Sequence, residues 1–337
     1  MENNLPSENE KLYAKVYSRF KGSDFFSVVE DGYDYLNGQI DRVLESLKNR
    51  DLTSVYSEYY TIEDTLSLVD SFFREVIGEE CADAFNKAVK SGNIELYDKY
   101  DFEEASVHPV SDEIGPHYRL INEEQFDENG KYLYTNAHKN VENPLEHDIY
   151  DVYTLVHEFI HSTNDRYKNM YISDRELLTE SVSITYEFIL YDYLKSKGIS
   201  PNEIGNPIKD RMRHLKRHAS NMRYILKMLN KVRTDENLKN IQFDFSNDDE
   251  KKAVLDKYAD FCAEVKYYIG TLIATVNYKN YIDGKLSLKT LETYNFSIDE
   301  YNELDSLPIL FETLPTNNEV VSDLECLLDS ITEGKKL

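Results

Sequence analysis

The chain has 337 residues, with 63 Asp and Glu against 38 Lys and Arg and a formal net charge of −25. A field of that sign repels nucleic acid and anionic membrane, so neither is expected as a partner. The 41% hydrophobic content excludes a disordered chain, and the length allows a sizeable core in one large domain or two lobes.

No apolar run is long enough to span a bilayer. Met1 to Leu5 lacks the basic and apolar pattern of a secretory signal, which makes a cytoplasmic location the expectation. Cys81, Cys262 and Cys326 are odd in number and far apart. That suits a reducing compartment and argues against a disulfide framework or a Cys-based zinc site.

The first ten residues are polar. From there to about Lys99 the pattern is helical, with breaks at Gly22-Ser23, near Asn49 to Asp51, at Gly78 and at Ser91-Gly92. Thr61 to Asp64 reads as a capping box that opens a helix running to Val76-Ile77. Residues 101 to 150 change character. His117 to Ile121 and Lys131 to Thr135 are short β-prone runs, and Asn129-Gly130 between them is a turn signal. A β-hairpin or small sheet is expected there.

A helix is then predicted from about Asp148 to Asp151, where acids complement its N-terminal dipole. It carries His157-Glu158-Phe159-Ile160-His161, an H-E-x-x-H stretch. One helical turn separates the two imidazoles, so they face the same way and can hold one zinc ion. The acid beside the first His can reach a water at that ion. A lone motif of this kind is a modest signal. A third ligand is needed, and Glu180 supplies it from a second predicted helix, Glu176 to Lys195. Glu187, two turns further on, is either an acceptor behind a ligand His or a surface acid.

From Asn206 to Arg233 there are nine Lys or Arg against one acid, Asp210. The expected form is an amphipathic helix whose basic face neutralises acidic neighbours, weighed against a surface for an acidic partner. His214 and His218 are also one turn apart, but no Glu follows His214, and a second metal site is not expected. Lys251 to Asn280 reads as a long helix carrying Tyr267 and Tyr268. Shorter segments follow, with caps expected at Ser297 and Asn317.

Asp151 to His161, with Glu180 to Glu187 after it and Tyr132 to Asn136 before it, resembles the zinc oligopeptidases of the oligoendopeptidase F and thimet oligopeptidase type. The resemblance covers about Leu66 to Asn280 and is specific at the metal motif. It implies a mainly α, helical zinc-peptidase (zincin) fold with the small hairpin beside the active-site helix. It also implies a deep channel and hydrolysis of short peptides. His157, His161 and Glu180 match the family's ligands for one Zn2+, and Glu158 matches its catalytic acid. Ile160 stands where the family usually has Gly, the spacing to Glu180 is shorter, and no His lies near Tyr258 to Tyr268. The family's C-terminal Tyr segment looks like the stretch around Lys266-Tyr267.

The expected protein is therefore a zinc metalloendopeptidase acting on peptides, with an N-terminal helical region (1–100) and a catalytic region (101–337) not separated by a clear linker. Zinc would polarise the scissile carbonyl, Glu158 would act as general base and Tyr267 as oxyanion donor. Adjacent residues on a helix lie about 100° apart, so only one of Tyr267 and Tyr268 can face the metal. Tyr258 and Tyr278 are the next candidates. Two alternatives stand beside this: a non-catalytic zinc-binding regulatory protein, and a protease dedicated to one protein substrate. Oligomeric state is open.

Overall fold

The structure is a computed structural model. It describes residues 6–55, 58–90, 94, 107–109, 118–120, 148–162, 175–243, 246–288 and 317–332. These residues are mainly helical. The elements are α1 (Glu8–Phe20), α2 (Asp24–Asp31), α3 (Tyr33–Lys48), α4 (Ile62–Phe72) and α5 (Glu79–Lys90), then α6 (Ile149–Ser162) and α7 (Arg175–Ser196). A short α8 (Pro201–Ile204), α9 (Asn206–Thr234), α10 (Glu236–Lys239), α11 (Asp248–Ile282) and α12 (Asn317–Ile331) follow.

Local chemistry sets several of these starts. Thr61 and Asp64 form the expected capping box: the Asp64 N–H donates to Thr61 Oγ1 at 3.0 Å and the Thr61 N–H to Asp64 Oδ2 at 3.2 Å. α4 then passes into a π turn, Phe73–Ile77, and stops at Gly78. Gly78 has φ 141°, which a side chain would strain. One break escaped the sequence pattern: Gly32, which separates α2 from α3. α6 begins where the acids were expected. The Tyr150 N–H donates to Asp148 Oδ1 at 2.8 Å, and the Asp148 N–H to Asp151 Oδ2 at 3.0 Å.

One connected core takes side chains from Tyr13 to Ile331. α6 and α7 run through it and are buried on nearly every side where their side chains are described, as their apolar composition requires. α7 packs against both α6 and α11, and α9 closes against α3 and α11. α9 is amphipathic as predicted: Met212, Leu215, Ala219, Met222, Leu226 and Leu229 are buried. Its basic face meets acids of neighbouring helices, with Lys231 on Glu10, Arg223 on Asp41 and Arg211 on Glu187.

The one β pairing among the described residues is antiparallel, with β1 (Val107–Pro109) against β2 (Tyr118–Leu120). β2 falls in the predicted run 117–121. Its predicted hairpin partner, 131–135, lies outside the described residues, as do the predicted turn at Asn129-Gly130 and the cap at Ser297. No helix among the described residues is long and apolar enough to cross a membrane.

Candidate metal centre

Two helices build the centre. α6 turns His157 and His161 toward α7, and α7 returns Glu180 and, two turns later, Glu187 on the same face. α6 is held in register from behind. Phe159 packs 5.0 Å from the Phe73 ring and 5.2 Å, edge on, from Phe85. The π turn after α4 thus supports the helix that carries both histidines.

His157 Nε2 lies 2.9 Å from His161 Nε2 and 3.5 Å from Glu180 Oε2, and His161 Nε2 lies 3.8 Å from Glu180 Oε1. Metal–ligand bonds of about 2.1 Å in a tetrahedron give ligand separations of roughly 3.4 Å, so the observed values bracket the requirement. The three residues are 8%, 7% and 7% exposed. Among the described residues, the buried Glu180 Oε2 has no hydrogen-bond partner. A buried carboxylate oxygen without a donor is costly, and a cation at this point would satisfy it. Among the described residues this is the one His/Cys/Asp/Glu group able to hold a metal ion. The His214–His218 pair forms no such group.

Glu187 is a structural partner of the centre, and the surface-acid alternative is corrected: it is 3% exposed. Its Oε1 lies 2.6 Å from His157 Nδ1, and Arg211 of α9 binds the same carboxylate through Nη2 and, at 3.2 Å, Nε. Where a metal displaces the Nε2 proton of His157, the proton on Nδ1 still donates to Glu187. Burial pushes the Glu187 carboxyl up, but Arg211 and His157 outweigh it and hold it below its ordinary value.

Glu158 lies on the wall of a cavity of about 310 Å³, together with His157, Glu187, Arg211, His214 and Tyr267. Burial raises its carboxyl to about 7, against the opposing charge of His157. The two histidines divide: burial and the charge of His157 lower His161 to about 3, while Glu180 and Glu187 overcome burial and raise His157 to about 10. Burial works against ionisation of Glu180 too, yet His157, His161 and Lys266 together hold it well below the usual carboxylate range.

Of the two adjacent tyrosines, Tyr267 is on the cavity wall and Tyr268 is in the core, 0% exposed. The reserve candidates are corrected. Tyr258 stacks on Phe20 with ring centroids 3.8 Å apart, and Tyr278 donates to Asp192 at 2.7 Å. Neither lines this cavity, whose wall takes His157 but not His161 or Glu180 of the candidate group.

Three neighbours escaped the sequence reading. Arg211 had been counted only as one charge of a basic face. Lys266 places its Nζ 3.4 Å from Glu180 Oε1. His218, weighed only as a metal ligand, stacks on Tyr267. The signal available for α9 was its spacing: residues 211, 214 and 218 share one helix face. Compared with protein-family models, with curated proteins and with solved structures, the chain matches none, so its chemistry has to be read from the centre itself.

Proposed function

We propose that the protein is a zinc-dependent metallopeptidase of the oligopeptidase type. The observation that carries this is the buried His157–His161–Glu180 group with Glu158 opening onto the cavity beside it. Two imidazole nitrogens and a carboxylate, at near-tetrahedral separations, form a donor set that suits zinc with a fourth position left for substrate or water. Zinc held there supplies a Lewis acid for a peptide carbonyl and for the attacking water.

The chain's own groups divide the remaining work. Glu158 receives the proton of the attacking water and returns it to the leaving amine. Tyr267 donates a hydrogen bond to the oxygen that gains charge as the carbonyl is attacked. Glu187 and Arg211 keep His157 in one tautomer and orientation. The resemblance to oligopeptidases favours peptides over folded proteins, and the cavity on which Glu158 and Tyr267 lie has a volume of about 310 Å³.

Metal binding without catalysis is the second possibility, and the lining of the cavity favours it: of the three residues of the group only His157 is on its wall, as suits a closed, structural site. Metal content measured alongside turnover of a mixed quenched-peptide library separates the two. Stoichiometric zinc with cleavage of peptides supports the peptidase. Stoichiometric zinc without any cleavage, of peptides or of casein, supports a binding role. Cleavage confined to one folded protein would identify a dedicated protease instead.

A further inference from the structure

α9 and α11 meet along a polar seam that runs up to Tyr267 on the cavity wall. His218 of α9 is 6% exposed, and its Nδ1 lies 2.6 Å from Glu264 Oε2 of α11. Asn221 Nδ2 donates to the other oxygen of Glu264 at 2.8 Å. The imidazole lies nearly parallel to the Tyr267 ring, with centroids 5.6 Å apart and planes 25° from parallel. Lys266 Nζ lies 4.8 Å from the centroid of the Tyr267 ring and also reaches Glu180. The Tyr267 hydroxyl, by contrast, has no hydrogen-bond partner among the described residues.

The seam is more than packing. A Leu or Phe at 218 would fill the same space without a buried polar pair, and burying such a pair is costly unless each member is satisfied. Here each member fixes the next: Asn221 orients Glu264, Glu264 orients the imidazole, and the imidazole supports the phenol ring. We propose that the His218–Glu264 pair is a positioning device for Tyr267, holding the phenol at the cavity wall so that its hydroxyl is aimed at a substrate oxygen. This rests on the role of Tyr267 proposed above. Rotation about the first side-chain bond swings a tyrosine hydroxyl through several ångströms, and a misplacement of about 1 Å is enough to lose on the order of 10²-fold in rate.

The test places 3-fluorotyrosine at position 267 alone and records its 19F resonance with and without zinc. The wild-type background should give one narrow resonance that moves when zinc is added. His218→Ala should broaden or split it and diminish the zinc-dependent shift. Glu264→Leu, which removes the acceptor at a partly exposed position, should do the same if His218→Ala fails to fold. In peptide hydrolysis both variants should lose about 10-fold or more in kcat, with KM and zinc content within a factor of about two. A resonance and zinc response unchanged in both variants overturns the proposal. The two ideas fail separately. A resonance that responds in a protein that cuts no peptide keeps the seam and removes the peptidase, and peptide cleavage with an unresponsive resonance does the reverse.

Discussion

Glu187 Oε1 lies 2.6 Å from His157 Nδ1, and Arg211 binds the same carboxylate. The Nε2 side of His157 is thereby set from behind, by a residue two turns beyond Glu180 and by a guanidinium from another helix. Glu187→Gln should keep the fold, because the amide still accepts from His157, but should weaken zinc 10–100-fold, roughly the range for such outer partners. Competition against a chromogenic chelator measures it. Unchanged zinc affinity would remove Glu187 from the centre.

One zinc per chain is expected after purification without added metal, and His161→Ala should abolish it. Elemental analysis decides, and equal zinc in a His157→Ala, His161→Ala double variant would sink the site. Lys266→Met should act in the opposite direction. The ammonium beside Glu180 competes electrostatically with a cation. Removing it should tighten zinc by about threefold to tenfold, an effect reduced by salt. Looser binding in Lys266→Met would mean that the lysine supports Glu180 instead.

Glu158→Gln should retain zinc and fold and lose peptide cleavage. The amide has nearly the same shape but cannot take a proton, and the loss should be on the order of 10²–10⁴. Wild-type turnover in metal-replete protein refutes the role.

Phe159→Ala should destabilise the chain by about 3–5 kcal/mol, because the ring fills the space between Phe73 and Phe85 and is 2% exposed. Zinc affinity should fall as well, since this ring fixes the helix that carries both histidines. A denaturant titration and a zinc titration on the same variant check both halves. A loss below about 1 kcal/mol would show that α6 is positioned by other contacts.

The elements were legible where periodicity is strong. α6 and α9 follow from their apolar spacing and α4 from Thr61 and Asp64, whereas α7, apolar on nearly every side, shows as a long run without Gly or Pro. The pairing of His157 and His161 was legible too, because helical spacing alone turns them to one side, and the structure brings Glu180 to the same group. The surrounding shell was not. Which face of α9 meets α7 is a tertiary fact, so Arg211 could not be assigned to Glu187, nor His218 to Tyr267. The sequence has no His along α11 near Tyr258 to Tyr268. The structure brings one to Tyr267 from α9 instead. Gly32 was missed because apolar spacing continues across it.

Tyr267 and Tyr268 give the sharpest contrast. Both are phenols on one helix, one residue apart, and both are raised above the ordinary tyrosine value, for different first reasons. For Tyr267 the charge of Glu180 comes first and burial second, whereas burial dominates for Tyr268. The Tyr268 hydroxyl is buried without a hydrogen-bond partner among the described residues. Such a group loses its water on folding and gains nothing, so Tyr268→Phe should be neutral or stabilising, by up to about 1–3 kcal/mol. Tyr267→Phe removes a hydroxyl on the cavity wall. It should leave stability and zinc nearly unchanged and lower kcat by about 10²-fold, with little change in KM, because the lost bond matters only as charge builds on the substrate oxygen. Steady-state kinetics and thermal denaturation of the two variants, side by side, read both effects. If Tyr267→Phe keeps kcat within a factor of about two, the oxyanion donor is not this tyrosine. If Tyr268→Phe destabilises instead, its hydroxyl has a partner in the folded chain.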